Sequence, residues 1–113
     1  MKKNLKNSEH YSWGDRCSGW HLVKSKALSV IEEMMPPNTK EAKHYHTNAQ
    51  QFFYILQGEA TFEIKKDTFK VSEREGIHIN PKVVHQIKNE TQTNLEFLVI
   101  SQPTSKGDRT HVD

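Results

Sequence analysis

The sequence predicts an all-β sandwich or barrel, and three observations carry that prediction. Short runs rich in Val, Ile, Phe, Tyr and Thr recur at close intervals between Ala27 and Ser101. Turn-forming pairs punctuate them at Gln57-Gly58, Lys66-Asp67, Glu75-Gly76 and Asn80-Pro81. No stretch sustains an apolar i, i+3, i+4, i+7 face bounded by helix caps.

Taken in order, residues 1–26 are polar, with Trp13, Gly14, Gly19 and Trp20 scattered among charges. They read as an irregular N-terminal arm with at most one short strand. From Ala27 the texture changes, and Leu28, Val30 and Met34 alternate with Ser29, Ile31 and Glu33 as in a half-buried strand. Pro36-Pro37 stops that strand, because proline removes a ladder donor and fixes the backbone. The β-prone runs that follow are 43–47, 51–57, 59–65, 68–72, 77–80, 83–88 and 94–101. A barrel over 27–102 results, followed by a C-terminal tail at 103–113 that reads as loop around Pro103 and Gly107.

Composition narrows the function. At 113 residues the chain is one ordinary domain, and a net charge of +2 offers no concentrated basic stripe for nucleic acid. The longest apolar run, Phe52–Leu56, falls far short of the roughly 20 residues a membrane-spanning helix requires. The basic start is not followed by an apolar signal region, and the single cysteine, Cys17, cannot form an internal disulfide. A cytoplasmic location is the expectation. Seven histidines in so short a chain are the one compositional oddity.

His44-Tyr45-His46 lies on a predicted strand, so both imidazoles project to one side, about 7 Å apart along the chain. Gln51 opens the next strand and shares a face with Phe53 and Ile55, opposite Phe52 and Tyr54. His85 shares a face with Val83 and Ile87 and so looks out from an apolar surface. Three neutral imidazoles with an oxygen donor suit a divalent transition metal such as Zn, Ni, Mn or Fe, with coordination positions left open.

These residues also carry a resemblance. His44-x-His46, four residues, Gln51, six residues, Gly58 resembles the first motif of the cupins, which has glutamate at the Gln51 position. Their second motif runs roughly glycine, five residues, P-x-G, two residues, histidine, three residues, asparagine. Gly76 to His85, with Asn89 beyond, resembles it with Asn80 at the proline and Lys82 at the second glycine. The resemblance covers about Leu28 to Ser101 and implies a double-stranded β-helix, or jelly-roll, barrel. It further implies a metal held by His44, His46, Gln51 and His85, and a homodimer formed through exchanged edge strands.

Glutamine changes the charge of such a site. Its neutral amide keeps both positive charges of a divalent ion, which favours anionic ligands. The expected function is metal-dependent isomerase- or lyase-like chemistry on a small polar molecule of the sugar-acid or keto type. A non-catalytic small-ligand-binding or sensing barrel is the alternative, and a metal-dependent dioxygenase a second one. The candidate proton shuttles are His78, His21, Tyr45 and Glu33, none of them singled out by spacing. Trp13 and Trp20, able to bury about 200 Å² each, would pack the arm over the barrel or the partner subunit, or form a lid. Arg16 beside Cys17 is expected to lower the thiol pKa.

Overall fold

The computed structural model describes residues 1–113 and is built almost wholly of strands. In chain order they are β1 (Glu9–Trp13), β2 (Cys17–Lys24), β3 (Ser29–Met35), β4 (Thr39–Lys40), β5 (His44–His46) and β6 (Gln50–Gln57). Then follow β7 (Ala60–Ile64), β8 (Asp67–Val71), β9 (Gly76–Ile79), β10 (His85–Asn89), β11 (Leu95–Gln102) and β12 (Arg109–His111). The order β1-β2-β3-β11-β6-β9 makes one six-stranded sheet and β12-β5-β10-β7-β8 the other, with β4 attached to β10. All pairings are antiparallel. This is the expected jelly-roll barrel.

The inward rows of the two sheets form one apolar core at the β7–β8 end. Phe53, Ile55, Phe62, Ile79, Ile87, Leu95 and Phe97 are all buried there, with Phe53 and Phe62 meeting edge to face at 5.1 Å. Period-two alternation places Phe52 and Leu56 outside on β6, as their positions predict. Asn89, where the second motif ends, is fully buried and acts as a bracket. Its amide donates to the carbonyls of Met35, Pro36 and Thr93, and its oxygen accepts from Thr91.

Three expectations need correction. On β3 the inward residues are Ser29, Ile31, Glu33 and Met35, not the more apolar Val30 and Met34. The barrel interior is polar at this end, so hydrophobicity marks the wrong face. The N-terminal arm is not irregular: β1 and β2 form a hairpin that extends the first sheet, turned by Gly14 and Arg16 at positive φ. The C-terminal tail is not merely loop, since β12 pairs along β5 from His44 to His46.

The second motif departs from its pattern in sequence but not in shape. Lys82 adopts φ +69 where the pattern calls for glycine. Counted back from His85, the opening glycine of the pattern falls on Arg74 rather than Gly76, and Arg74 also lies at φ +65. Both side chains therefore occupy the left-handed region that glycine enters without steric penalty.

Candidate metal centre

Two neighbouring strands and one facing strand build the site. His44 and His85 stand directly opposite each other on β5 and β10, and His46 lies two residues along β5 on the same face. All three are buried, and their ligating nitrogens lie within 4.8 Å of one another. The rings of His44 and His85 are 4.4 Å apart between centroids. The three histidines are thus brought together, and Gln51 from the other sheet, also buried, lines the same cavity as His44 and His46.

Hydrogen bonds orient His44, His85 and Gln51. His44 Nδ1 lies 2.8 Å from the carbonyl of Ala42, and His85 Nδ1 lies 2.9 Å from that of Val83. A carbonyl only accepts, so both rings carry the proton on Nδ1 and leave Nε2 as a lone pair. Such bonds to backbone carbonyls are how metal-ligating histidines are held. His85 Nε2, His46 Nδ1 and Gln51 Oε1 are buried without any partner. Ser101, opposite Gln51 on β11, accepts from its Nε2 at 3.0 Å and thereby turns Oε1 inward.

Burial depresses the imidazole pKa values, to about 3 for His44 and about 4 for His46, and lowers that of His85 too. Neutral rings with unpartnered lone pairs are what a metal ion needs, and orphaned buried polar atoms are costly without one. The residues present thus fit a transition metal.

His44 and His46 open onto a polar cavity of about 310 Å³. Phe53, Ile31 and Val99 supply its apolar wall, and Glu33, Glu41, Tyr11 and Arg109 its charged and polar one. Tyr11 donates its hydroxyl to Glu33 Oε2 at 2.6 Å. Burial raises the Glu33 carboxyl to about 7, against the opposing pull of Tyr11 and Arg109. Burial likewise raises Glu41 to about 8, with Arg109 opposing.

Of the candidate shuttles, only Glu33 faces this cavity. Tyr45 sits between the two histidines on β5 and so faces away from them. His78 is exposed on β9, with its Nε2 2.8 Å from Gln50 Oε1. His21 lines an adjoining cavity of about 320 Å³, its ring 5.0 Å from that of Tyr11. The arm packs onto the barrel as a sheet extension: Trp13 lines the main cavity, whereas Trp20 lies against His10 at 5.1 Å. Cys17 is buried in the core, and that burial raises its thiol pKa; Arg16 contacts Asp15 instead.

Sequence reasoning missed Tyr11, Glu41, Ser101, Lys106 and Arg109. Tyr11 and the two cations lie on segments taken as arm and tail. Only Glu41 carried a local signal, three residues ahead of His44 and 3.9 Å from its Nδ1.

Comparison with known proteins agrees with this geometry. An uncharacterized protein of Methanocaldococcus jannaschii is 27% identical over 92 residues, covering 81% of this chain and 74% of that one. Among solved structures, a predicted oxalate decarboxylase of Thermotoga maritima superposes with a TM-score of 0.82 at 22% identity. It covers 92% of this chain and 100% of that one. A sugar phosphate isomerase of the cupin superfamily from Silicibacter pomeroyi gives a TM-score of 0.82 at 20% identity, over 92% of this chain and 76% of that one. At such identities the likeness is one of fold. The Cupin domain family itself matches residues 31–101, from inside β3 to the buried serine of β11, and the chain belongs to that family.

Proposed function

We propose that this cupin is a metalloenzyme that moves a proton on a small polar molecule of the sugar-acid or keto type, by isomerase- or lyase-like chemistry. The observation that carries the reading is Glu33, which lines the same cavity as His44 and His46. When bound, a divalent transition metal supplies Lewis-acid polarisation of a substrate oxygen. Zinc, nickel, manganese and iron all suit the donor set of His44, His46, His85 and Gln51.

The rest is done by the chain. With a pKa of about 7, Glu33 is present at neutral pH as both acid and base, so it can take a proton and return it. Tyr11 fixes one carboxylate oxygen and leaves the other to face substrate. Phe53, Ile31 and Val99 keep water from part of the cavity, which strengthens electrostatic interactions inside it. Two neighbours in fold, a sugar phosphate isomerase and a predicted oxalate decarboxylase, fall within this range of chemistry.

The test is hydrogen exchange. Metal-loaded protein is incubated in deuterated water with a panel of sugar acids and keto acids, and NMR follows exchange at the carbon beside the carbonyl. The wild type exchanges at least one of them, and Glu33→Gln slows that exchange by about a hundredfold or more. A protein that retains its metal and exchanges none of the panel is a binding barrel, not an enzyme.

A further inference from the structure

The segment Ser105–Arg109, which sequence alone marks as tail, forms one wall of the main cavity. It is fastened there by Asp108. The carboxylate of that residue accepts from the backbone N–H groups of Thr47, Asn48 and Ala49, at 2.9 to 3.2 Å, and from the Asn48 side chain at 3.2 Å. Thr47 N also donates to the Asp108 carbonyl at 3.3 Å, and Val112 N to Lys43 O at 2.9 Å. A chain end held by so many bonds is a built part of the barrel.

That wall carries two cations, Lys106 and Arg109. Lys106 is exposed at the rim and makes no ion pair. Arg109 is held only through Nη2, which lies 3.6 Å from Glu41 Oε1 and donates to the Ala42 carbonyl at 3.4 Å; His44 Nδ1, 3.2 Å away, carries its own proton and does not accept from it. Its Nη1 and Nε remain as donors for a ligand. Gln51 contributes no negative charge where a glutamate would. Lys106 has no carboxylate partner and Arg109 meets only Glu41, through one nitrogen, so this wall keeps positive charge and free donors of its own.

We infer that Lys106 and Arg109 form an oxyanion subsite that takes a carboxylate or phosphate group of the substrate and sets the rest of the molecule between the histidines and Glu33. The inference rests on the enzyme reading for what is bound, but the subsite is a property of two side chains that are charged with or without metal. Asp108 is its positioning residue, because it holds both cations at the cavity.

Calorimetric titration tests it, with inorganic phosphate, D-galacturonate and neutral D-galactose as probes. Each is titrated into metal-loaded and metal-chelated protein, with metal content measured in every sample. Phosphate or galacturonate binds both forms, more weakly at high salt, and galactose does not. Lys106→Ala, an exposed position, weakens that binding by about tenfold, and Arg109→Gln by at least as much. Arg109→Lys restores part of it. The tighter of the two anions tells a phosphate ester from a sugar acid. Binding that is unchanged in Lys106→Ala, or that needs metal, means an anion held on the metal alone and overturns the subsite. So does the absence of binding by either anion at roughly 10 mM, a weak-affinity limit. A protein that holds no metal yet binds anion through Lys106 sinks the metalloenzyme and keeps the subsite; a metal-loaded protein blind to both anions does the reverse.

Discussion

Tyr11 reaches Glu33 across Gly19. The three residues stand in one row on adjacent strands, Tyr11 opposite Gly19 and Gly19 opposite Glu33, and the phenol bonds the carboxylate at 2.6 Å over the glycine. A Cβ at Gly19 would collide with the Tyr11 ring. Glycine at this point is thus what lets the N-terminal hairpin take part in the cavity. The contact also burdens both partners: burial and the nearby carboxylate raise the Tyr11 pKa, and burial raises that of Glu33.

Gly19→Ala should therefore displace the tyrosine and destabilise the protein by about 1–3 kcal/mol, as overpacked sites do. Tyr11→Phe keeps the ring and loses only the hydroxyl, so its loss should be smaller. Thermal melts of the two variants check the order. If Gly19→Ala melts with the wild type, the hairpin is not clamped as described.

The pH dependence of stability follows from the same pair. Glu33 has an ordinary carboxyl pKa of 4.5 when unfolded and about 7 when folded. Between those values the native chain keeps a proton that the unfolded chain has lost, so the Glu33 contribution to stability falls as pH rises from 4.5 to 7 and then levels. Tyr11 from β1, Cys17 from β2, Arg109 from β12 and Glu41 are charged or titratable groups around it. Glu33→Gln removes this slope, so its melting temperature should gain on the wild type more at pH 8 than at pH 4.5. Parallel melting curves across that range would contradict the assignment.

Ser101 offers a test of how Gln51 is oriented. Without the Ser101 hydroxyl, nothing else bonds the Gln51 Nε2, and the amide is free to turn its oxygen away. Ser101→Ala should weaken metal affinity by about tenfold or more, as loss of such supporting bonds does. Competition with a chromogenic chelator measures it. Unchanged affinity would remove Gln51 from the ligand set.

Lys82 tests whether the degraded second motif still wants its glycine. Its backbone lies at φ +69, and its N–H bonds the His46 carbonyl, tying the turn to the metal strand. Relief of the left-handed penalty, less the greater unfolded-state entropy of glycine, predicts that Lys82→Gly stabilises by roughly 0.5–1 kcal/mol. Denaturant melts give the sign directly.

The barrel and its histidine cluster are legible because their signals are local. His44 and His46 declare a shared face by period two, and Asn89 and His85 sit at fixed spacing on one strand. What lay hidden was set by register between distant strands. Tyr11 is 22 residues from Glu33, and Asp108 is 60 from Asn48, so no window along the chain shows either pair. The inward face of β3 is hidden for a related reason: Glu33 lines the histidine cavity and Ser29 is buried on the same face, so hydrophobic patterning points outward. The polar tail strand β12 carries no periodic signal at all, and only its pairing with β5 makes it structure.

The most direct measurement is metal content of freshly purified protein, with His85→Ala beside it. His85 Nε2 is buried, unpartnered and fixed by the Val83 carbonyl, so its removal should empty the site while sparing the Phe53–Phe62 core. The account predicts near one equivalent of a transition metal in the wild type, almost none in the variant, and a melting temperature that falls on chelation of the wild type alone. At a thousand times its dissociation constant the ion would contribute about 4 kcal/mol of stability. Wild-type protein that takes up no metal even after reloading, with the same melting temperature in and out of chelator, would contradict it.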